Sequence, residues 1–182
     1  MLIARQLKKQ NIAEYLLYMW QIEDMIRALN GDMSAIKETI VDKYPVDDDT
    51  RKSISEWYES MIDMMNTEGV MQKGHIQLVK NTLLELEELN DYLVSSGKDV
   101  AYTAKLYQLI PSLALLKSKS DRPGMSNIEM CFIFLYGFLQ LQRQKKSISE
   151  DTQRMREEVS KLLAMLSADY TKWKAGELDK EE

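Results

Sequence analysis

The sequence predicts an all-α protein, an antiparallel bundle of about six to seven helices around a central apolar helix at residues 128–142. Two observations support this prediction. Glycine and proline, which interrupt regular structure, number only 7 and 3 among the 182 residues. Apolar side chains recur every three or four positions through most of the chain, which is the spacing of one face of an amphipathic helix.

Three helices are predicted in the first half of the chain. The first ends at Asn30-Gly31, and the second ends before Pro45, whose ring disfavours helix at the residue that precedes it. Asp47 begins the third, because its carboxylate can accept hydrogen bonds from the free N–H groups of the first turn. These helices cover residues 12–29, 33–43 and 47–69.

Four further helices complete the chain. Gly97 is placed to end the first of them in a left-handed conformation, and Pro111 should kink the second or divide it in two. A loop follows at 117–124. Ser126, with Glu129 three residues later, has the pattern of a capping box at the start of the third. The four helices cover residues 71–96, 99–116, 126–142 and 149–173.

The helix at 128–142 is apolar on every side. Its longest apolar run, Met130 to Leu139, would span about 15 Å, roughly half of a bilayer core, so we expect no membrane span. A helix of this kind has to be surrounded by other helices. Because Gly137 has no side chain, we expect it to let another backbone approach closely.

The first helix also carries more apolar surface than one neighbour can cover. Residues 15–20 are six consecutive apolar or aromatic side chains. Either two neighbouring helices enclose this segment, or part of it contacts another subunit. The sequence therefore favours a homodimer or a protein partner that binds through the first helix.

Length and charge limit what the protein can be. The chain has the length of one domain, predicted over 1–175, followed by a charged frayed tail at 176–182. Its net charge of −5 combines 24 basic with 29 acidic residues that are interleaved, whereas nucleic-acid binders cluster their cations. The first residues lack the apolar segment of a secretory signal, and the single cysteine cannot form an internal disulfide. We therefore expect a soluble cytoplasmic protein that binds neither nucleic acid nor membrane.

Metal and nucleophile chemistry has few residues to use. His75 is the only histidine and Cys131 the only cysteine, so one chain cannot build a Cys/His zinc site or the two-histidine di-iron site of helical bundles. We interpret His75 as a surface or capping residue. Cys131 lies in the most apolar stretch, where a thiol is least reactive, and we interpret it as core. No catalytic, cofactor-binding or metal residue is assigned.

One pattern of carboxylates favours an enzyme instead. It consists of Glu56-x-x-Glu59 and Glu88-x-x-Asp91. The pattern resembles the acidic motifs of all-α nucleoside-triphosphate pyrophosphohydrolases, and this resemblance implies a Mg²⁺ ion held between facing helices. It departs from that family at Ser55, where a further Glu belongs. Acidic residues three positions apart are also common on solvated helix faces, which is the alternative interpretation.

Three further groups of residues are candidates for binding. The cations of the 117–124 loop suit an anion such as phosphate, the aromatic residues of the first half suit a pocket or an interface, and the methionines suit an adaptable groove. A cavity lined by Phe132, Tyr136 and Trp20 would suit a hydrophobic small molecule. For every group, a solvated loop or core packing is the simpler interpretation. The three groups are Lys117, Lys119 and Arg122; Tyr15, Tyr18, Trp20, Trp57 and Tyr58; and Met61, Met64 and Met65.

The opening of the chain resembles a known family. The residues that carry the resemblance are 1–6 (MLIARQ) and 11–24 (NIAEYLLYMWQIED), and the helix at Met130-Cys131-Phe132 and the seam at Met155 are also similar. The family is a domain-of-unknown-function family of small all-helical bacterial proteins, mainly from Bacteroidetes. The resemblance therefore implies a fold and carries no site residue. The favoured function is a non-enzymatic interaction or self-associating protein.

Overall fold

The computed structural model describes residues 2–178, and within them the chain forms eight α-helices and one 3₁₀ turn. No strand is present between residues 2 and 178. The prediction of an all-α helical bundle is therefore confirmed. The elements are α1 (Leu2–Gln10), α2 (Ile12–Ala28), α3 (Met33–Thr39), the 3₁₀ turn (Val41–Lys43), α4 (Asp48–Thr67), α5 (Gln77–Ser96), α6 (Val100–Ser118), α7 (Asn127–Arg143) and α8 (Glu150–Lys174).

The clearest differences from the predicted helices concern α1, α5 and α6. α1 is not among the predicted helices. It is separated from α2 at Asn11, where the side chain accepts the Ala13 N–H at 3.1 Å. α5 begins at Gln77 instead of near Met71. Pro111 does not divide α6, which runs without interruption. Because Pro111 is exposed, its missing N–H costs no buried hydrogen bond.

Side-chain caps begin the helices where the sequence indicates. Asp47 accepts the Thr50 N–H at 2.7 Å, and Ser126 accepts the Glu129 N–H at 2.9 Å. Glu129 does not complete the predicted capping box, because its carboxylate accepts from Arg122 at 2.6 Å. At the end of α5, Gly97 adopts the predicted left-handed conformation with a φ of 68°.

The helices form two compact units. The first unit contains residues up to Lys9 together with Glu14–Thr82. Within it, α3 and α4 pack against each other and against the 3₁₀ turn. Most of the apolar run at 15–20 is buried. The core of the first unit includes Tyr15, Leu16, Met19, Trp20, Ile22, Ile26, Ile36, Val41, Ile54, Tyr58, Met61 and Met65.

The second unit contains Gln10–Ala13 together with the residues from Leu83 onward. Within it, α6, α7 and α8 pack against one another in pairs. The single domain predicted over 1–175 stays a prediction. Of the predicted tail, residues 179–182 lie outside the described residues. The core of the second unit includes Leu86, Leu89, Leu93, Tyr102, Leu106, Leu113, Cys131, Phe132, Val159, Leu162, Leu163 and Leu166.

α7 is apolar on every side but is not enclosed on every side. Ile133 and Phe134 are only half-buried, and Gly137 is exposed. A Cβ atom added at Gly137 would meet nothing within 4 Å. The expectation that another backbone approaches Gly137 is therefore wrong for the part of the chain described. The buried residues of α7 are Ile128, Met130, Cys131, Phe132, Leu135 and Phe138.

No helix between residues 2 and 178 combines the length and the apolar character that crossing a membrane requires.

Candidate functional site

Glu23 is a fully buried carboxylate in the first unit, with 0% of its surface exposed. Its Oε1 accepts the Ile76 N–H at 2.9 Å, and its Oε2 accepts the His75 Nδ1–H at 2.5 Å. The His75 ring stacks on Trp20, with centroids 4.6 Å apart and planes within 15°. Both carboxylate oxygens therefore have partners, which offsets the cost of removing the charge from water.

Arg27 continues this contact one turn further along α2. Trp20, Glu23 and Arg27 share one face of the helix, since they are three and four positions apart. The Arg27 guanidinium donates to the Val70 carbonyl at 3.1 Å, to the Gly74 carbonyl, and to Asp24 at 2.8 Å. Together the three side chains hold the irregular segment 70–76 against α2. We call Trp20, Glu23 and Arg27 the α2 clamp.

The chemistry of the α2 clamp favours anchoring over catalysis. A carboxylate bound to Nδ1 fixes a histidine ring and leaves Nε2 as the atom that would exchange a proton. However, Glu23 and Arg27 also bind backbone atoms of the 70–76 segment, and a catalytic role would not require those bonds. The clamp is therefore best explained as the structure that positions the start of α5.

Sequence reasoning missed this cluster. It placed His75 at the surface or at a cap, whereas the side chain is 34% exposed and bound to a buried carboxylate. One signal was available. Glu23 lies four residues after Met19 and three before Ile26, so it occupies the apolar seam of α2, and a carboxylate at such a position needs a buried partner.

The carboxylates of the predicted Mg²⁺ site are exposed side chains. Glu56 and Glu59 belong to α4 in the first unit, and Glu88 and Asp91 belong to α5 in the second unit. Across residues 2–178, no group of three or more His, Cys, Asp or Glu side chains is placed to hold a metal ion. The structure lends the pyrophosphohydrolase hypothesis no support.

Glu56 and Glu59 do line a polar groove of about 340 Å³ in the first unit. Three cations and three carboxylates line it, and Lys52 lies 3.9 Å from Glu56 as an ordinary surface pair. Because the charges offset one another, the groove favours neither a cation nor an anion. Its lining residues are Lys37, Asp48, Arg51, Lys52, Ser55, Glu56 and Glu59.

The cations of the 117–124 loop are largely bonded within the second unit. Lys117 donates to the Asn127 side chain at 2.6 Å, and Arg122 donates to Glu129 at 2.6 Å. Lys119 is exposed. Among residues 2–178, Lys119 is therefore the only one of the three predicted anion-binding cations without such a bond, which favours the solvated-loop interpretation.

Cys131 is a core residue, as its apolar sequence neighbourhood predicts. Its surface is 0% exposed, and burial raises the pKa of the thiol to about 12. At neutral pH the side chain is therefore a thiol and not the nucleophilic thiolate.

The aromatic and methionine groups mostly fill the core of the first unit. Tyr15, Trp20, Tyr58, Met61 and Met65 are buried. The half-buried members are Tyr18, Trp57 and Met64.

The proposed hydrophobic cavity draws on both units. Trp20 belongs to the first unit, where its ring stacks on His75. Phe132 and Tyr136 belong to the second unit. Phe132 is fully buried. None of the three lines the polar groove of the first unit, and the carrier hypothesis gains no support.

The second unit contains two neighbouring carboxyl groups, one of them buried, that the sequence does not reveal. Asp99 caps α6 by accepting the Tyr102 N–H at 2.7 Å. Asp169, on α8, is 3% exposed and lies beside Asp99. Burial raises the pKa of the Asp169 carboxyl and the neighbouring Asp99 raises it further, while Lys172 acts in the opposite direction. This position therefore favours the protonated form of the Asp169 carboxyl.

α6 presents an uncharged outer face. Val100, Tyr107 and Leu115 are 74%, 57% and 58% exposed. With Ala104 and Pro111, which are also exposed, they recur every three or four positions and form one stripe, called here the α6 outer face. Adjoining exposed apolar side chains mark interaction sites on soluble proteins. The exposed residues of α6 are all uncharged: Val100, Ala101, Ala104, Tyr107, Gln108, Pro111, Ser112, Ala114, Leu115 and Ser118.

Comparison with known proteins finds one family. The family described as Domain of unknown function (DUF4924) matches residues 1–177. No curated protein and no solved structure matches the chain.

Proposed function

We propose that this chain, which belongs to the DUF4924 family, described as a domain of unknown function, is a non-enzymatic protein that self-associates through the α6 outer face. One observation carries the proposal. The solvent-facing side of a 19-residue helix has no charged residue, in a chain of which 29% of the residues are charged. Its large apolar side chains are exposed, so their burial against a partner would be favourable.

A second copy of the chain fits this face. With a net charge of −5, two copies repel each other where their charged surfaces meet. Contact through an uncharged face avoids this cost. An antiparallel arrangement about a two-fold axis near Tyr107 opposes the two helix dipoles, and it pairs Val100 of one copy with Leu115 of the other.

The predicted first helix, which is α2 in the structure, is a weaker candidate for the interface. Its apolar surplus motivated the sequence prediction of a partner there. However, Leu16, Met19 and Trp20 on α2 are buried within the chain itself, so most of that surplus needs no partner.

The mass in solution tests the proposal. We expect the molar mass measured by light scattering after size-exclusion chromatography to rise from 21.2 kDa toward twice that value. The rise should occur as the protein concentration increases from about 1 to 100 μM, the affinity range of modest interfaces. The double variant Tyr107→Glu and Leu115→Glu should stay monomeric, because it brings four carboxylates into the interface.

A matched control separates the effect of position from that of charge. The variant Ala164→Glu and Ala168→Glu adds the same two charges at exposed positions of α8 and should dimerise like the native chain. A native chain that stays monomeric at every concentration would contradict the proposal. The proposal would also be contradicted if the α6 variant and the α8 variant lost dimerisation to the same extent.

We also infer that the protein is bacterial and cytoplasmic. The resemblance of residues 1–24 to a bacterial family supports the origin, and a single buried thiol is compatible with a reducing compartment. Fractionation of a bacterial host that expresses the full chain should recover it in the cytosol. Recovery in the periplasm or in the membrane pellet would contradict the inference.

A further inference from the structure

We propose that a second groove in the first unit, formed by α1, α2 and α4, binds a small aromatic phosphate of the class that nucleoside monophosphates represent. The groove has a volume of about 270 Å³. Its lining residues are Ala4, Arg5 and Lys8 on α1, Tyr15 on α2 and Trp57 on α4. Two cations and two aromatic rings thus meet in one concavity.

The two cations are available to a ligand. Arg5 and Lys8 lie three positions apart, on one face of α1, and both are exposed. Within residues 2–178 neither side chain forms an ion pair or hydrogen bond; Lys8 contacts only a ring. Other cations of the chain, such as Lys105, pair with carboxylates. A guanidinium and an ammonium together are a suitable pair of donors for a phosphate group.

The two rings are held in place before any ligand binds. Tyr15 is 4% exposed, and Lys8 Nζ lies 5.4 Å from its ring centroid. Trp57 packs edge-on against the fully buried Tyr58, with centroids 5.1 Å apart. Because Tyr15 is almost fully buried, it forms the floor of the groove, and the half-buried Trp57 is the ring on which a flat ligand can stack with little loss of side-chain entropy.

A ligand that uses the whole groove needs both chemistries. Inorganic phosphate would leave the Trp57 ring unused, and a neutral ring would leave the two cations unused. The volume is near the lower limit for small-molecule sites, about 300 Å³, so we expect a small molecule. The net charge of −5 disfavours a polynucleotide.

The test is a titration of the full-length ¹⁵N-labelled chain with AMP at low salt, followed by NMR. We expect the Trp57 indole N–H to shift, with a Kd of about 1 mM or tighter. Adenosine and inorganic phosphate, which each supply half of the chemistry, should bind roughly tenfold more weakly. The variant Arg5→Ala and Lys8→Ala should weaken AMP by about the same factor. Lys9→Ala is the matched control for Lys8→Ala alone, because Lys9 is exposed on the same helix but does not line the groove.

Three results would overturn the proposal. The first is no shift at Trp57 with AMP at about 10 mM, a concentration at which even a weak specific site would be filled. The second is equal binding of adenosine and AMP, which would leave the cations without a role. The third is equal loss of AMP binding in Lys9→Ala, which would show a general charge effect.

Discussion

α2 and α6 are both strongly apolar helices, but they differ in what covers their apolar side chains. α2 is covered within the chain so completely that even its Glu23 is buried. α6 buries one side, which includes Leu113, and exposes Tyr107 and Leu115 on the other. The apolar character of a helix therefore indicates that it packs against another surface. The packing of the chain determines whether that surface belongs to the same chain or to a partner.

The packing of α2 within the chain depends on the buried carboxylate of Glu23. We expect Glu23→Ala to lower the free energy of unfolding by about 3 to 5 kcal/mol, because it leaves the buried Ile76 N–H and the half-buried His75 ring without their partner. Urea denaturation followed by tryptophan fluorescence measures this loss. Asp24→Ala, the adjacent and half-exposed carboxylate, should cost less than about 1 kcal/mol. Similar losses for the two variants would disprove the special role of Glu23.

The two sides of α6 should differ in the same way. Leu113→Ala should cost about 2 to 5 kcal/mol, because Leu113 is fully buried. Leu115→Ala, two positions away and exposed, should change the stability of the monomer by less than about 0.5 kcal/mol. Denaturation at concentrations below the dimerisation range gives both values. A large loss for Leu115→Ala would mean that the chain itself covers the α6 outer face.

The lone cysteine reports whether the two units open together. Burial raises the pKa of Cys131 to about 12, so a thiol reagent at pH 8 should label it only when the second unit opens. If 1–175 is one cooperative domain, Glu23→Ala in the first unit should accelerate labelling. An unchanged rate in that variant would show that the units open separately.

The smallest expected effect concerns Asp169. Burial, aided by Asp99, raises its pKa in the folded state, so the folded chain binds the proton more tightly than the unfolded chain. This contribution to stability is complete below the unfolded pKa, about 3.9, and is lost as the pH rises through the folded pKa. Asp169→Asn should therefore gain stability relative to the native chain between pH 4 and pH 7, measured by denaturation across that range. If the difference in stability between Asp169→Asn and the native chain stayed constant from pH 4 to pH 7, the titration of Asp169 beside Asp99 would not be its cause.

Local patterns made most of the fold predictable. The caps at Asp47 and Ser126 act on N–H groups three residues away, and the apolar spacing of each helix is visible within a few turns. α1 was missed although Asn11, a residue type that favours helix N-caps, separates it from α2. Pro111 was expected to interrupt α6, but on an exposed face a proline removes no buried bond.

The polar clusters were not predictable in the same way, because their members are distant along the chain. Glu23 is 52 residues from His75, and Asp99 and Asp169 lie on different helices. The acidic spacing of Glu56 and Glu59, which did suggest a site, only placed both residues on one exposed helix face. Sequence spacing therefore identifies the face on which a residue lies, whereas its partner depends on the packing of the helices.

The most direct test of self-association through α6 is cross-linking between copies. We would mix two single variants, Val100→Cys and Leu115→Cys, under mild oxidation; the native Cys131 is buried and does not interfere. The antiparallel arrangement predicts a disulfide-linked dimer that forms faster in the mixture than in either variant alone, since it brings the two positions together. The antiparallel arrangement would be contradicted if no covalent dimer formed. It would also be contradicted if a cysteine at an exposed position on α8, such as Lys161→Cys, gave as much covalent dimer as the mixture.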